Sequence, residues 1–302
     1  MSEAPLARGA QRPLRQVMLV TGKGGVGKTS AAAGFARAEV QRGRKAVLVE
    51  FSDSESGTRV LGKGSGVEQV VIRPEEAIQS MSTDLLKSAI LAKVVTGNFA
   101  MKRLFRAAPA LRELAQLEAV RTIAADRPGV RVVVDMPATG HGVAWLRVAE
   151  QLRGLLRAGP LFRVAERLTE ELVNDERCSA VIVTLPEPLV LKETLELEAA
   201  LKEEVGLTAA RLIVNRVPPK MPASAGSEAD RLSRTPGEVG AAGAVLAALI
   251  RTRQKARDSA LRILSELDAG RDDTSTAVVL PLAPADPSAD EVAAWLDAGG
   301  AL

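Results

Sequence analysis

Residues 17–30 read V-M-L-V-T-G-K-G-G-V-G-K-T-S, an apolar run that leads into a glycine-rich loop. The run Val17–Thr21 predicts a buried strand, and the alanine-rich stretch Thr29–Arg42 predicts the helix after the loop. Glycine residues let backbone N–H groups surround an anion, and the positive end of the helix dipole faces the same point. The strand, loop and helix together therefore predict a phosphate-binding loop.

We expect this loop to bind a nucleotide together with Mg²⁺. Lys28 would reach the β- and γ-phosphates, and the hydroxyl of Thr29 would be a ligand of the metal ion. Lys23 is a second cation at the start of the loop. The predicted nucleotide-binding residues of the loop are Gly22, Gly24, Gly25, Val26, Gly27, Lys28, Thr29 and Ser30.

Short β-branched runs alternate with longer helical patterns along the rest of the chain. Further strands are predicted at Ala46–Val49, Val67–Ile72, Val130–Asp135, Ala180–Thr184, Arg211–Asn215 and Ala277–Leu280. Continuous apolar runs are typical of strands that are buried on both faces. The alternation predicts an α/β fold with a doubly wound, mostly parallel sheet.

The 302 residues are predicted to form one P-loop domain over residues 16–302, after a flexible tail over residues 1–15. Two stretches without a clear strand, about 75–127 and 142–174, are interpreted as an inserted helical subdomain. The stretch from Pro218 to Gly243 is rich in Pro, Gly, Ser and Ala, and it is predicted to be a mobile loop.

Composition excludes several kinds of site and partner. One cysteine, Cys178, and one histidine, His141, exclude an intrachain disulfide and a Cys/His zinc site, so we expect no zinc. A net charge of +3 and an aromatic content of 2% do not favour a nucleic-acid partner. The sequence contains no apolar stretch long enough to predict a membrane span, and no apolar segment of the kind found in secretory signals. We therefore expect a cytoplasmic protein.

Two motifs carry a resemblance to a known family. The loop has the form K-G-G-x-G-K-[ST], and a predicted strand ends in D-M-P-A-T-G-H at residues Asp135–His141. A carboxylate at that strand end is the expected Mg²⁺-water ligand opposite Thr29. The loop resembles the deviant Walker A motif of SIMIBI-class P-loop NTPases, and the second stretch resembles the switch II segment of the ArsA family. That family contains the arsenite-pump ATPase and the ATPase that guides tail-anchored membrane proteins.

The resemblance implies roles for particular residues. Lys23 would contact the phosphates of the partner subunit in a closed dimer, Asn215 would hydrogen-bond adenine, and Pro281 lies in a segment similar to the loop that covers the base. The position of Asn215 at a predicted strand end also favours ligand binding. ATP and Mg²⁺ are the implied substrate and cofactor.

The switch I segment departs from the family pattern. Relatives carry D-P-A-H after the second strand, whereas this chain reads E-F-S-D-S-E-S-G from Glu50 to Gly57. Glu50 and Asp53 are both candidates for the carboxylate that positions the attacking water, and their spacing does not choose between them. The candidate catalytic residues are Lys23, Lys28, Glu50, Asp53 and Asp135, with Thr29 and Asp135 as the candidate metal ligands.

We therefore expect a dimer-switch ATPase of the ArsA type with slow, Mg²⁺-dependent turnover. Its partners would be a second copy or a paralogous subunit, and an unidentified protein client at the helical subdomain, a hydrophobic client being one option. The apolar stripe between Leu85 and Leu117 fits either core packing or a client groove. Two alternatives remain open: a hydrolysis-impaired regulatory or scaffold subunit, and a ParA/MinD-like positioning ATPase.

Overall fold

The computed structural model describes residues 12–51, 56–87, 109–137, 142–174, 176–269 and 277–302. Within them, seven strands form a single sheet in the order β3-β2-β4-β1-β5-β6-β7. The strands are β1 (Val17–Thr21), β2 (Ala46–Glu50), β3 (Glu68–Val71), β4 (Arg131–Asp135), β5 (Cys178–Thr184), β6 (Ala209–Val217) and β7 (Val278–Pro281). Every neighbouring pair is parallel, which confirms the predicted α/β sheet.

Ten α-helices lie between and after the strands in the described part of the chain. They are α1 (Lys28–Gln41), α2 (Ser56–Leu61), α3 (Pro74–Lys87), α4 (Pro109–Ala125), α5 (Gly142–Leu155), α6 (Pro160–Glu171), α7 (Pro188–Ala200), α8 (Ala225–Ser233), α9 (Glu238–Ala269) and α10 (Ala289–Ala298). A π-helical turn, Leu201–Val205, continues α7.

The core consists of two layers, one on each face of the sheet. Alternate residues of β1 divide between them, because successive side chains of a strand point to opposite faces. Val17 and Leu19 belong to the layer that α3 to α6 cover, whereas Met18 and Val20 belong to the layer beneath α1 and α10. Because all neighbouring strands are parallel, their carboxyl ends lie along the same edge of the sheet. Ligands bind at this edge in such sheets.

The described part of the region interpreted as an inserted helical subdomain consists of the four helices α3 to α6 and short turns between them. Its helices do not enclose a core of their own, since Leu114, Leu117, Trp145 and Leu168 pack in the same cluster as the strands. Leu114 and Leu117 are fully buried, so this part of the apolar stripe is core. The part of the stripe from Ile90 to Phe105 lies outside the described residues.

The mobile loop predicted over residues 218–243 is wrong for most of its length, because α8 and the start of α9 form a helical hairpin there. Alanine is the strongest helix former, and the alanines of this stretch favour helix as much as they resemble a linker. The glycines allow the helices to approach closely: a Cβ atom on Gly243 would lie 2.5 Å from the carbonyl carbon of Leu232. Ala229, Ala247 and Ile250 form a small core between the helices.

A buried arginine ties both ends of the described chain to the amino-terminal end of β6. The side chain of Arg211 donates to the carbonyl oxygen of Ala301 at 2.7 Å and to that of Arg12 at 2.8 Å. Burial lowers the pKa of this guanidinium. These hydrogen bonds lie at the edge of the sheet opposite the phosphate loop.

Candidate nucleotide-binding site

Glycine shapes the loop between β1 and α1. Gly22 and Gly27 have φ angles of 143° and 96°, which residues with a side chain rarely adopt. A Cβ atom on Gly22 would lie 2.2 Å from the carbonyl oxygen of Val183, and one on Gly27 would lie 2.2 Å from Nδ2 of Asn215. Only glycine fits at either position, so the loop can follow the close backbone path that phosphate binding requires.

The first turn of α1 is open to an anion. No side chain in the described part of the chain caps this helix, which begins at Lys28. The N–H groups of a first helical turn have no partner within the helix, and the helix dipole favours negative charge beside them. Gly25, Gly27 and Ser30 line the cleft next to this turn, and Gly24 is exposed in the loop.

Lys28, the first residue of α1, carries a buried cation beside the loop. Its side chain is 6% exposed, and Nζ donates a hydrogen bond to the carbonyl oxygen of Lys23 at 3.0 Å. Burial lowers the pKa of Lys28, and the negative charge of Asp135 acts in the opposite direction. An anion in the cleft would compensate this buried charge.

Thr29 and Asp135 meet where β1 and β4 lie side by side. The hydroxyl of Thr29 donates to Oδ2 of Asp135 at 2.6 Å. The other carboxylate oxygen, Oδ1, is buried and has no hydrogen-bond partner among the described residues. Burial raises the pKa of Asp135, while the hydrogen bond from Thr29 and the charge of Lys28 lower it.

These two side chains fit Mg²⁺. A hydroxyl and a carboxylate are hard oxygen ligands of the kind that the ion prefers, and Mg²⁺ is bound by few protein ligands together with substrate phosphates and water. The buried, unpartnered Oδ1 of Asp135 offers such an oxygen. The described residues contain no cluster of three or more His, Cys, Asp or Glu side chains that could hold a metal ion.

Glu50 lies at the end of β2 and is 4% exposed. Its Oε1 accepts a hydrogen bond from the backbone N–H of Gly57 at 3.0 Å. Burial raises the pKa of Glu50, the bond from Gly57 lowers it, and the charge of Asp135 raises it further. The carboxyl group lines the cleft beside the loop. The other candidate, Asp53, lies outside the described residues, as does His141, so the choice between Glu50 and Asp53 stays open.

An aromatic contact links the switch I segment to the helices on one face of the sheet. The rings of Phe51 and Trp145 are 4.9 Å apart and inclined by 70°, an edge-to-face arrangement. Phe51 follows Glu50 directly, and Trp145 is buried in α5. A movement of the segment after β2 would therefore be transmitted to α5 through this ring contact.

Lys23 is half-exposed and forms an ion pair within its own chain. Its Nζ lies 2.8 Å from Oε1 and 2.7 Å from Oε2 of Glu193 in α7. The lysine that the resemblance assigns to a partner's phosphates is thus held by a carboxylate in cis.

Two cavities lined by described residues adjoin the loop. The larger, of about 1070 Å³, is lined by Lys28, Thr29, Glu50 and Asp135. The smaller, of about 330 Å³, is lined by Asn215, Pro281 and Trp295 among others.

The amide of Asn215 is fixed at the wall of the smaller cavity. Its Nδ2 donates to the carbonyl oxygen of Val26 at 2.9 Å, and its Oδ1 accepts from the backbone N–H of Arg216 at 2.9 Å. Asn215 and Pro281 are thus brought together beside the loop, and their contact with adenine stays a prediction.

The sequence motifs did not reveal Glu193, Trp145 or Trp295 as neighbours of the site. Glu193 lies 170 positions from its partner Lys23, so no local pattern connects the two. Trp295 could have been suspected only from its rarity, since the chain has two tryptophans.

The family described as the CobQ/CobB/MinD/ParA nucleotide binding domain matches residues 17–264. This match spans most of the chain, including the loop, Asp135 and Asn215. The chain belongs to this family. It is a nucleotide-binding P-loop domain of the ParA/MinD type.

Mycobacterial proteins are among the relatives of this domain. The ATPase BagA of Mycobacterium tuberculosis and the protein named "Putative ATPase Mb3704" of Mycobacterium bovis are each 27% identical to it over 221 residues. The alignments cover 66% of this chain and 64% of each relative, so the chain matches less than two thirds of their length. Among the described residues, no helix is long and apolar enough to cross a membrane.

Proposed function

We propose that the protein is a Mg²⁺-dependent ATPase of the ArsA type that switches between nucleotide states as a dimer. One observation carries this proposal: Lys28, Thr29 and the partly unpartnered Asp135 lie together in a cleft, beside a second cavity lined by Asn215. The resemblance of Asp135–His141 to the ArsA switch II segment supports the finer assignment.

Different residues of the site bind the phosphates, the base and the metal ion. The loop amides and Lys28 bind the β- and γ-phosphates, Asn215 binds the base, and Pro281 packs beside it. Thr29 and Asp135 hold Mg²⁺. The bound ion supplies neutralisation of the charge on the phosphate oxygens.

Hydrolysis moves the γ-phosphoryl group to water. Water forms a bond to the γ-phosphorus and the bond from that phosphorus to the β–γ bridging oxygen breaks. The proton of the water passes to the phosphate oxygens and the solvent, so the products are ADP, phosphate and a proton. Positioning supplies much of the catalysis in such reactions. Glu50 or Asp53 orients the water, and Lys28 balances charge on the phosphates. Glu50 is tied to Gly57, so we expect slow turnover until this segment rearranges.

Dimer formation uses Lys23. Two nucleotides facing each other across an interface would repel, and an additional cation from each subunit offsets that repulsion. The ion pair of Lys23 with Glu193 is exposed and therefore readily exchanged for a phosphate contact. The partner subunit is a second copy or a paralogue.

Coupling to a protein client proceeds through the helices that cover one face of the sheet. The contact between Phe51 and Trp145 supports this route, because it joins the segment after β2 to α5. A hydrolysis-impaired regulatory subunit would bind ATP without releasing phosphate. The family match also supports the alternative of a positioning ATPase. Such a protein would in addition interact with DNA or a membrane surface in a nucleotide-dependent way.

The test is ATP binding and phosphate release by the purified chain with Mg²⁺. We expect Lys28→Ala to weaken ATP binding at least tenfold, because a charged hydrogen bond to the phosphates is lost. Exposed Lys192→Ala is the matched control and should bind as the parent does. A Lys28→Ala variant that binds ATP as tightly as the parent would contradict the site. Binding without phosphate release would favour the regulatory alternative.

A further inference from the structure

The residue after Asn215 has an unusual backbone. Arg216 has a φ angle of 59°, and it is the one non-glycine residue with a positive φ in the described part of the chain. Such strain in a residue with a side chain persists only where the surroundings enforce it, and it is concentrated at functional sites.

The surroundings that enforce it belong to the nucleotide site. The N–H of Arg216 donates to Oδ1 of Asn215, whose Nδ2 donates to the carbonyl oxygen of Val26 in the phosphate loop. The strained backbone and the loop are therefore joined through a single amide. This arrangement places Arg216 in the walls of both the 1070 Å³ cleft and the 330 Å³ cavity.

The guanidinium of Arg216 is exposed at this junction. Within the described residues it forms no hydrogen bond or ion pair, whereas other arginines such as Arg37 and Arg121 pair with carboxylates. Asp286 also lines both cavities but does not pair with it. A planar guanidinium is well suited to bind a phosphate through two hydrogen bonds.

We propose that Arg216 is a nucleotide-binding residue whose guanidinium contacts the α-phosphate. The inference rests on the proposed function, because it takes the cleft to hold the outer phosphates of ATP and the smaller cavity to hold the base. The ribose and α-phosphate join those two parts of the molecule, and Arg216 lies where the two cavities adjoin. A left-handed backbone at Arg216 keeps the side chain at this boundary.

The decisive variant is Arg216→Gly, because glycine adopts a positive φ without strain and so retains the backbone while removing the guanidinium. Isothermal titration of the full chain with ATP and with ADP, both with Mg²⁺, measures the effect. We expect the Kd of both nucleotides to rise about tenfold, with their ratio unchanged, since both contain the α-phosphate. Arg253→Ala removes the same charge from an exposed position of α9 and should leave both affinities as in the parent.

Each outcome of these titrations supports or overturns either the role of Arg216 or the proposed function. If the parent binds ATP and Arg216→Gly binds it equally well, the inference is overturned while the proposed function stands. A loss for ATP alone would place the contact on the γ-phosphate and overturn the assignment. A parent chain that binds neither nucleotide overturns the proposed function and this inference with it. If Arg216→Gly has a lower Tm, Arg216→Gln and Arg216→Lys decide: the inference requires lysine to retain more affinity than glutamine for both nucleotides.

Discussion

At the scale of single residues, the buried carboxylate of Asp135 gives the sharpest test of the metal site. Asp135→Asn keeps an acceptor for the hydroxyl of Thr29 and removes the charge that Oδ1 carries. We expect Mg²⁺ to lose its effect on ATP affinity, a change of about tenfold or more, while the variant without nucleotide stays folded. Thermal shift with ATP, in Mg²⁺ or in EDTA, measures both.

Asp286→Asn is the control for Asp135→Asn, since it removes a carboxylate from the same cleft. It should retain the full Mg²⁺ effect. Equal behaviour of the two variants would mean that the cleft attracts cations in general and that Asp135 is not a specific ligand.

Glu50 makes stability without nucleotide depend on pH. Its pKa is raised in the folded chain, so the folded state holds the proton more tightly than the unfolded state does. This contribution is fully present below the ordinary glutamate range and is lost as the pH rises through the raised pKa. Glu50→Gln does not titrate. We therefore expect its Tm in EDTA to gain on that of the parent as the pH rises from about 4 towards neutral. A difference in Tm between Glu50→Gln and the parent that stays constant over this pH range would contradict the raised pKa of Glu50.

The ion pair between Lys23 and Glu193 predicts that the resting subunit restrains its own dimerisation. Glu193→Gln frees Lys23 for a partner's phosphate, so we expect ATP-dependent dimers to tighten by a factor of up to about five, the range of an exposed ion pair. Analytical ultracentrifugation with a non-hydrolysable ATP analogue measures this.

Glu196→Gln is the matched control, because it removes the same charge from the same helix, but from a carboxylate that pairs with Lys192 and not with Lys23. It should dimerise as the parent does. Weaker dimers of Glu193→Gln would show that the carboxylate orients the lysine instead of restraining it.

The site residues that could be predicted from the sequence are those that belong to a short, continuous motif. Lys28 and Thr29 belong to one continuous glycine-rich motif, and Asp135 ends an apolar run, so their types and spacing indicated a site. The partners Glu193 and Trp145 are brought in by the topology of the sheet, and a linear pattern carries no signal for such contacts.

At the scale of elements, the hairpin of α8 and α9 depends on glycines inside helices. Gly243→Ala would improve helix propensity, yet its Cβ would lie 2.5 Å from backbone atoms of Leu232 and Ser233. We expect the close contact to prevail and the hairpin to lose about 1–3 kcal/mol of stability. Hydrogen exchange of α8 and thermal unfolding measure the effect.

Gly226→Ala is the control in the same hairpin, since a Cβ there meets nothing within 4 Å. It should be neutral or stabilising by up to about 1 kcal/mol. If Gly243→Ala were equally harmless, the close packing of the two helices would not matter for the hairpin.

The strands were predictable and the hairpin was not, for a physical reason. A central parallel strand is buried on both faces, so its sequence is a mostly apolar run, as in Val17–Val20. A helix that covers only a small cluster needs few apolar residues. Between Pro218 and Gly243 those residues are mainly alanines, which leave a pattern much like that of a linker.

At the scale of the whole molecule, the proposed function predicts that the two tryptophans respond to different parts of the nucleotide cycle. Trp295 lines the smaller cavity, and Trp145 packs on Phe51 beside the cleft. In Trp145→Phe, the remaining tryptophan should respond equally to ATP and ADP, because both contain the base. In Trp295→Phe, the emission should respond more to ATP, because the γ-phosphate reorders the segment after Glu50. Stopped-flow fluorescence separates the two signals, and an unresponsive Trp145 would contradict coupling to α5.

The hydrogen bonds of Arg211 fix the place where reporters can be attached. They anchor Ala301 and Arg12 at the edge of the sheet that faces away from the cleft. Helix α10 begins directly after Ser288, which lines the cleft, and ends near that opposite edge. A fluorophore attached at Leu302 would therefore leave the nucleotide entrance uncovered. Energy transfer between two such labels would follow the approach of subunits in living cells without interfering with the chemistry it monitors.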